Sequence, residues 1–360
     1  MLKSIVMKTR SLGSTAFLLL ALGITSCSVR QQTTNSASDT TATSPSSANS
    51  EKPKVVATSS VLCDITQEIA QDTIDLTCLI PAGTDPHVYE PKPSDRKAIE
   101  QAQLILYNGY GFEPGLIKII ESSKNSASKV AVSEIAVPEP LAGEEHDHEV
   151  EEKAEAGQAH EHEGEEKAEA GHAHGETDPH VWNNAKNGIR IAETISDNLE
   201  KLSPNNAARY TSNTEKMTRE LAQLDSWIKS QISTIPVNQR TLVTTHDAMG
   251  YYSAAYGIPV EGALQGISTD ERATAGRLKE LVGEIKSTNV PTIFAETTVN
   301  PKLIESVAKE ANVKVSERKL YADGIGEKGS EGDTYEKMLI ANTQTIVEGL
   351  GGKFTPFQAK

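Results

Sequence analysis

Short β-rich runs alternate with helix-like stretches along this chain, and the same rhythm occurs twice. In the first half the runs are "KVVATSS" (Lys54 to Ser60), "TIDLTCLI" (Thr73 to Ile80), "QLILYNG" (Gln103 to Gly109) and "KVAVSEI" (Lys129 to Ile135). In the second they are "RTLVTTHD" (Arg240 to Asp247), "PVEGALQGIS" (Pro259 to Ser268), "PTIFAETT" (Pro291 to Thr298) and "VKVSERKLYAD" (Val313 to Asp323). Strands separated by helices pair in parallel through right-handed crossovers. The pattern therefore predicts an α/β fold with two lobes, residues 54–203 and 237–360, each a mainly parallel four-stranded sheet flanked by helices. Between them Tyr210, Met217, Leu221, Leu224 and Ile228 recur at helical spacing, with Ser203 as a cap and Pro204 at the first helical position. One long rigid helix over 204–236, about 45 Å at 1.5 Å per residue, is expected to join the lobes.

What precedes the first lobe has a different character. Lys3, Lys8 and Arg10 lead into an apolar run from Ala16 to Ile24 and then "TSC" ending at Cys27, the pattern of a secretory signal peptide over 1–27. The run is too short to cross a bilayer. Small residues directly before Cys27 also resemble a bacterial lipobox, in which that cysteine becomes the lipid-bearing N-terminus. Ordinary cleavage nearby, leaving a free protein, is the alternative. Residues 28–53 have almost no large apolar side chain and read as a disordered tether. The expected location is the periplasm or the outer face of the cell membrane, with a lipid anchor.

Export bears on Cys63 and Cys78, since oxidised pairs are the default outside the cytoplasm. Cys63 follows the first run and Cys78 ends the second, so a parallel pair places both at one edge of the sheet, where a disulfide is feasible. Two buried free thiols is the alternative. The net charge of −15 is concentrated between Gly143 and Asp178, where fourteen acidic residues face two lysines and contribute −12. The lobes are thus nearly neutral, without the basic face that nucleic acid would require.

The nine histidines divide into two groups. Six occur as HxH pairs in the acidic segment: His146 and His148, His160 and His162, His172 and His174. They sit in near copies with a period of fourteen, a low-complexity stretch expected to be a flexible loop over 143–178 with weak auxiliary metal sites. His87 and His180 each close an Asp-Pro-His tripeptide, and His246 ends its strand run. Ligands in open α/β sheets bind beyond the carboxyl ends of strands, where these three and Asp323 would meet. Three imidazoles and a carboxylate suit a divalent transition metal. A zinc hydrolase with Glu90 or Glu296 as base is the competing interpretation, although the chain has no HExxH or nucleophile motif. Asp323 discriminates, because a fourth protein ligand leaves no place for an activated water.

In order along the chain, "TDPHVYEPKPSD", "DPHVWNN", "THDAMGYYSAAYGI", "GISTDERATAGRL", "IFAETTVNPKLIE" and "LYADGIGEKGSEGDTYEKMLIANTQTI" resemble the successive motifs of the metal-specific solute-binding proteins of ABC transporters, the ZnuA/TroA group. The resemblance covers nearly all of the chain after residue 54. It implies a monomeric receptor, not an enzyme, whose lobes close over one ion and deliver it to an ABC permease. His87, His180, His246 and Asp323 match the group's ligand positions. Members that resemble manganese binders usually have glutamate at the position of His246, so the resemblance favours Zn2+, with Mn2+ as the alternative. A His-rich loop at this place is similar to that of the zinc branch. A surface adhesin or metal buffer would share the fold.

Overall fold

The computed structural model of the chain describes residues 51–143, 177–288 and 290–359. Cys27 and all six histidines of the acidic segment lie outside the described residues.

The first lobe runs β1 (Lys54–Ala57), α1 (Ser60–Ala70), β2 (Asp75–Cys78), α2 (Pro93–Gln101), β3 (Leu104–Tyr107), α3 (Pro114–Ser122), β4 (Ser128–Ala131) and α4 (Val132–Ala136). Its four strands are all parallel in the order β2-β1-β3-β4. The central strands carry consecutive buried apolar residues, Val55 to Ala57 and Leu104 to Leu106, because helices cover both faces of a parallel sheet. β2 is an edge strand, largely exposed and half the length of its sequence run. Pro93 and Pro114 open α2 and α3, where a missing N–H costs nothing.

Cys63, within α1, is bonded to Cys78 at the end of β2, with Cα atoms 5.7 Å apart. The bond ties an exposed edge strand to a helix of the core. Its sequence separation of 15 corresponds to about 3 kcal/mol of lost unfolded-chain entropy. Replacing both cysteines by serine is therefore expected to lower the unfolding free energy by about that amount. In urea this would appear as a lower midpoint, and an unchanged midpoint would refute it.

The second lobe repeats the plan with β5 (Leu242–His246), α7 (Gly250–Tyr256), β6 (Val260–Gln265), α8 (Ala275–Ser287), β7 (Thr292–Ile293), α9 (Lys302–Ala311), β8 (Lys314–Val315) and α10 (Tyr335–Gly349). Here the expected continuous four-stranded sheet is replaced by two parallel pairs, β5 with β6 and β7 with β8. The Phe294 N–H donates to Val243 O at 2.9 Å, which sets β7 beside β5. The strand order is then that of the first lobe. β7 and β8 are short because residues 317–319 bulge out of the ladder. Ser316 N–H still reaches Ile293 O, and pairing resumes only where Leu320 N–H meets Ala295 O, both at 2.9 Å.

The connecting segment comprises α5 (Ala185–Leu202), a 3-10 turn (Pro204–Asn206) and α6 (Ala207–Ile232). The 26 residues of α6 span about 39 Å. Its buried side includes Tyr210, Met217, Leu221, Leu224 and Ile228, as the spacing predicts. Ser203 does not cap it; its Oγ accepts from Asn206 Nδ2 at 2.9 Å, and Pro204 starts the 3-10 turn instead. α6 packs against α1, α5 and α10. One apolar cluster from Val55 to Leu350 runs through it, so the strut is part of the core of both halves.

Candidate metal centre

Both Asp-Pro-His tripeptides fold into the same local turn. Asp85 Oδ1 accepts the N–H of His87 at 3.0 Å, and Asp178 Oδ1 accepts that of His180 at 2.9 Å. An aspartate that bonds the backbone two residues on, with proline fixing φ between them, needs only three residues to set its geometry. The repeated motif is thus a rigid histidine holder. The two copies differ in their remaining contacts: Asp178 Oδ1 also lies 2.8 Å from His180 Nδ1, while Asp85 Oδ2 turns away to Thr269.

His246 is the last residue of β5, and Asp323 follows the Leu320 bridge beside Glu296. With His87 and His180 they form a buried group in which one ligand atom of each lies within 4.8 Å of all the others. His87 Nε2 and His180 Nε2 are 3.2 Å apart, and Asp323 Oδ1 lies 2.9 Å from His246 Nε2, 3.4 Å from His180 Nε2 and 3.6 Å from His87 Nε2. Three nitrogens and one oxygen therefore converge on one point. Asp323 Oδ2 points away and accepts from Thr298 Oγ1 at 2.7 Å, which leaves a single carboxylate oxygen facing the group.

Neighbouring carboxylates orient two of the rings. Glu296, fully buried, bonds His246 Nδ1 through Oε2, and its Oε1 accepts the N–H groups of Thr245 and His246 at 3.0 and 3.1 Å. Asp178 does the same for His180. With Nδ1 engaged, each ring presents the Nε2 lone pair inward, an arrangement common to metal-ligating histidines. Phe112 packs edge-on against His87 and His180 at centroid distances of 5.0 and 5.7 Å. Its loop is anchored by Glu113, whose Oε1 accepts from Thr58 Oγ1 at 2.6 Å and Asn108 N–H at 2.8 Å. That loop turns through three successive positive φ values, 87° at Gly109, 50° at Tyr110 and 72° at Gly111. A Cβ at Gly109 would meet the Glu134 carboxylate at 2.5 Å, so glycine is required there.

The electrostatics follow from burial and the carboxylates. Burial opposes the charged form of every ring. At His246 the fields of Asp323 and Glu296 outweigh it and hold the pKa well above the usual value. At His180 the hydrogen bonds to Asp178 and Asp323 do the same to a smaller degree. At His87 burial wins over Asp323, and the pKa falls. Burial also opposes charge on Asp323, but His246 and the hydrogen bonds to all three rings hold its carboxyl well below the usual range. The group is an anion ringed by imidazoles, two of them with raised proton affinity, and a dication can take the place of those protons as counter-charge.

Neither residue considered as a hydrolytic base fits that role. Glu90 is exposed, and both oxygens of Glu296 are committed to His246 and Thr245. Asp178, Thr298 and Phe112 are site residues that sequence reasoning missed. Asp178 was visible in its motif, but its contact with the ring was not.

A family model described as zinc-uptake complex component A, periplasmic, matches residues 55–349. The chain is 36% identical over 309 residues to the manganese ABC transporter substrate-binding lipoprotein PsaA of Streptococcus mitis, covering 84% of this chain and 91% of that protein. It is 33% identical over 339 residues to the metal ABC transporter substrate-binding lipoprotein ScbA of Streptococcus cristatus, covering 92% and 96%. Among solved structures, the periplasmic zinc binding protein TroA from Treponema pallidum superposes with a TM-score of 0.71 at 31% identity, covering 83% of this chain and 99% of that one.

Proposed function

The chain belongs to the zinc-uptake component A family, the substrate-binding receptors of metal ABC importers, and from this premise we propose that its cargo is zinc. Receptors of this class are not enzymes; they work with a membrane permease and its ATPase. In this proposal His87, His180 and His246 supply three nitrogens and Asp323 one oxygen to a single ion held between the lobes of residues 54–203 and 237–360. The α6 segment is the strut between them. The protein acts as a monomer, lipid-anchored through Cys27 on the outer side of the membrane, in keeping with relatives named as lipoproteins. The HxH pairs of the acidic segment serve as weaker auxiliary sites.

The observation that carries the choice of metal is the third imidazole, His246, 2.9 Å from the single inward oxygen of Asp323. Four donors rich in neutral nitrogen suit tetrahedral zinc, whereas manganese prefers more oxygen and a higher coordination number. Thr298 on Asp323 Oδ2 favours monodentate binding. The manganese reading draws on the similarity to PsaA, a manganese transporter's lipoprotein, and the zinc reading on that to TroA, a zinc binding protein. Metal analysis of protein isolated from its own cell envelope, combined with X-ray absorption, separates the two. Zinc with four N/O neighbours at about 2.0–2.1 Å is expected. Manganese as the main metal, with more than four neighbours, would refute the assignment.

A further inference from the structure

His180, His246 and Asp323 are at most 2% exposed, and His87 is 7% exposed. An ion therefore exchanges with solvent on the His87 side of the group. There an open cavity of about 320 Å³ has walls from both halves of the chain: His87, Tyr110 and Pro179 from the first, Ile267 and Ser268 from the second.

The residue after Ser268 bonds the two halves together beside this cavity. Thr269 Oγ1 donates to Asp85 Oδ2 at 2.7 Å, and the other oxygen of the same carboxylate accepts the N–H of His87. Hydroxyl-to-carboxylate bonds of this length belong to the stronger class of hydrogen bond. Thr269 is held in place from behind. Gln265 Nε2 donates to Thr269 O at 3.0 Å and to Glu271 O at 2.7 Å, and Gln265 is the register partner of His246 across β5 and β6. A continuous set of bonds thus runs from the His246 strand through Gln265, Thr269 and Asp85 to the backbone of His87.

We propose that Asp85 and Thr269 form a latch between the two halves beside this cavity, and that its opening governs how fast the ion leaves. The proposal rests on the receptor reading of the site. The two residues are positioning residues, since neither contributes one of the four converging ligand atoms. Because Asp85 holds both His87 and Thr269, breaking the Thr269 bond leaves the turn that carries the most exposed ligand tied to its own half alone. Release then begins at His87, while His180, His246 and Asp323 remain enclosed.

The test uses the full chain loaded with zinc and mixed with excess chromogenic chelator in a stopped-flow instrument. Thr269→Val removes the hydroxyl and nearly conserves the volume. It is expected to release zinc about ten-fold faster, equivalent to about 1.4 kcal/mol, with one tight equivalent still bound and an unchanged melting temperature without metal. Thr269→Ser is expected to restore the slow rate. A release rate for Thr269→Val within about two-fold of the parent would overturn the latch and leave the receptor reading intact. Faster release from Thr269→Ser as well, or an equal loss of metal-free stability, would show a merely structural role and also overturn it. Failure of the parent protein to bind zinc tightly would overturn the receptor reading and the latch with it.

Discussion

Replacing Asp323 by alanine is expected to weaken zinc binding by more than about a hundred-fold, beyond the 10- to 100-fold loss typical when only a residue supporting a ligand is removed. Among the described residues Asp323 is the one anion that faces all three imidazole Nε2 atoms, at 2.9 to 3.6 Å, and its side chain is fully enclosed. Without it the ion loses a ligand and most of its charge compensation in a site shielded from water, where such interactions are strong. Asp323→Asn separates the two contributions, because it keeps the shape and the bond partner for Thr298 while removing the charge. Competition titration against a chelator of known affinity measures both variants. Parental affinity in Asp323→Ala would show that the four residues do not act as one site. The fold should tolerate the change, since the rings can become neutral once the carboxylate is gone.

Lowering the pH is expected to weaken metal binding from above pH 6.5, the ordinary histidine value, with a slope approaching about two decades of affinity per pH unit. The sign follows from which protons the ion must displace. His246 is held well above its ordinary pKa by Asp323 and Glu296 against its burial, and His180 is raised by Asp178 and Asp323. Below those raised values the metal-free site carries both protons, and a bound ion must expel them. Above them the rings are already neutral and affinity is level. Affinity is therefore retained at high pH and lost as pH falls through the raised values. His87, lowered by burial, adds a third proton only below pH 6.5. Zinc affinity measured across this range, with proton release taken from calorimetry in buffers of different ionisation enthalpy, tests the account. A flat profile between about pH 8 and pH 6 would refute it.

The features legible in the sequence are those that a few neighbouring residues encode. Alternating strand and helix runs announced parallel sheets because crossover geometry follows from local order. The apolar positions of α6 announced its buried side because helical spacing alone puts them there. The Asp-Pro-His turns were readable because an aspartate, a proline and the N–H two residues on close within three residues.

Other features arise only when distant segments pack. Glu296 was noticed as a possible base, yet its role as the partner of His246 depends on Phe294 pairing with Val243 to bring two strands side by side. The short β7 and β8 ladders depend on an excursion over residues 317–319 that the β-rich run "VKVSERKLYAD" does not betray. Phe112 against two histidines, Thr298 behind Asp323 and Thr269 against Asp85 have no local signature either. A short motif fixes dihedral angles and the direction of its own side chain over a few residues, which is why the sequence determined what each ligand is and how it is held. The few ångströms between ligands on different elements are set by how both halves pack on α6, and that only the tertiary structure decided.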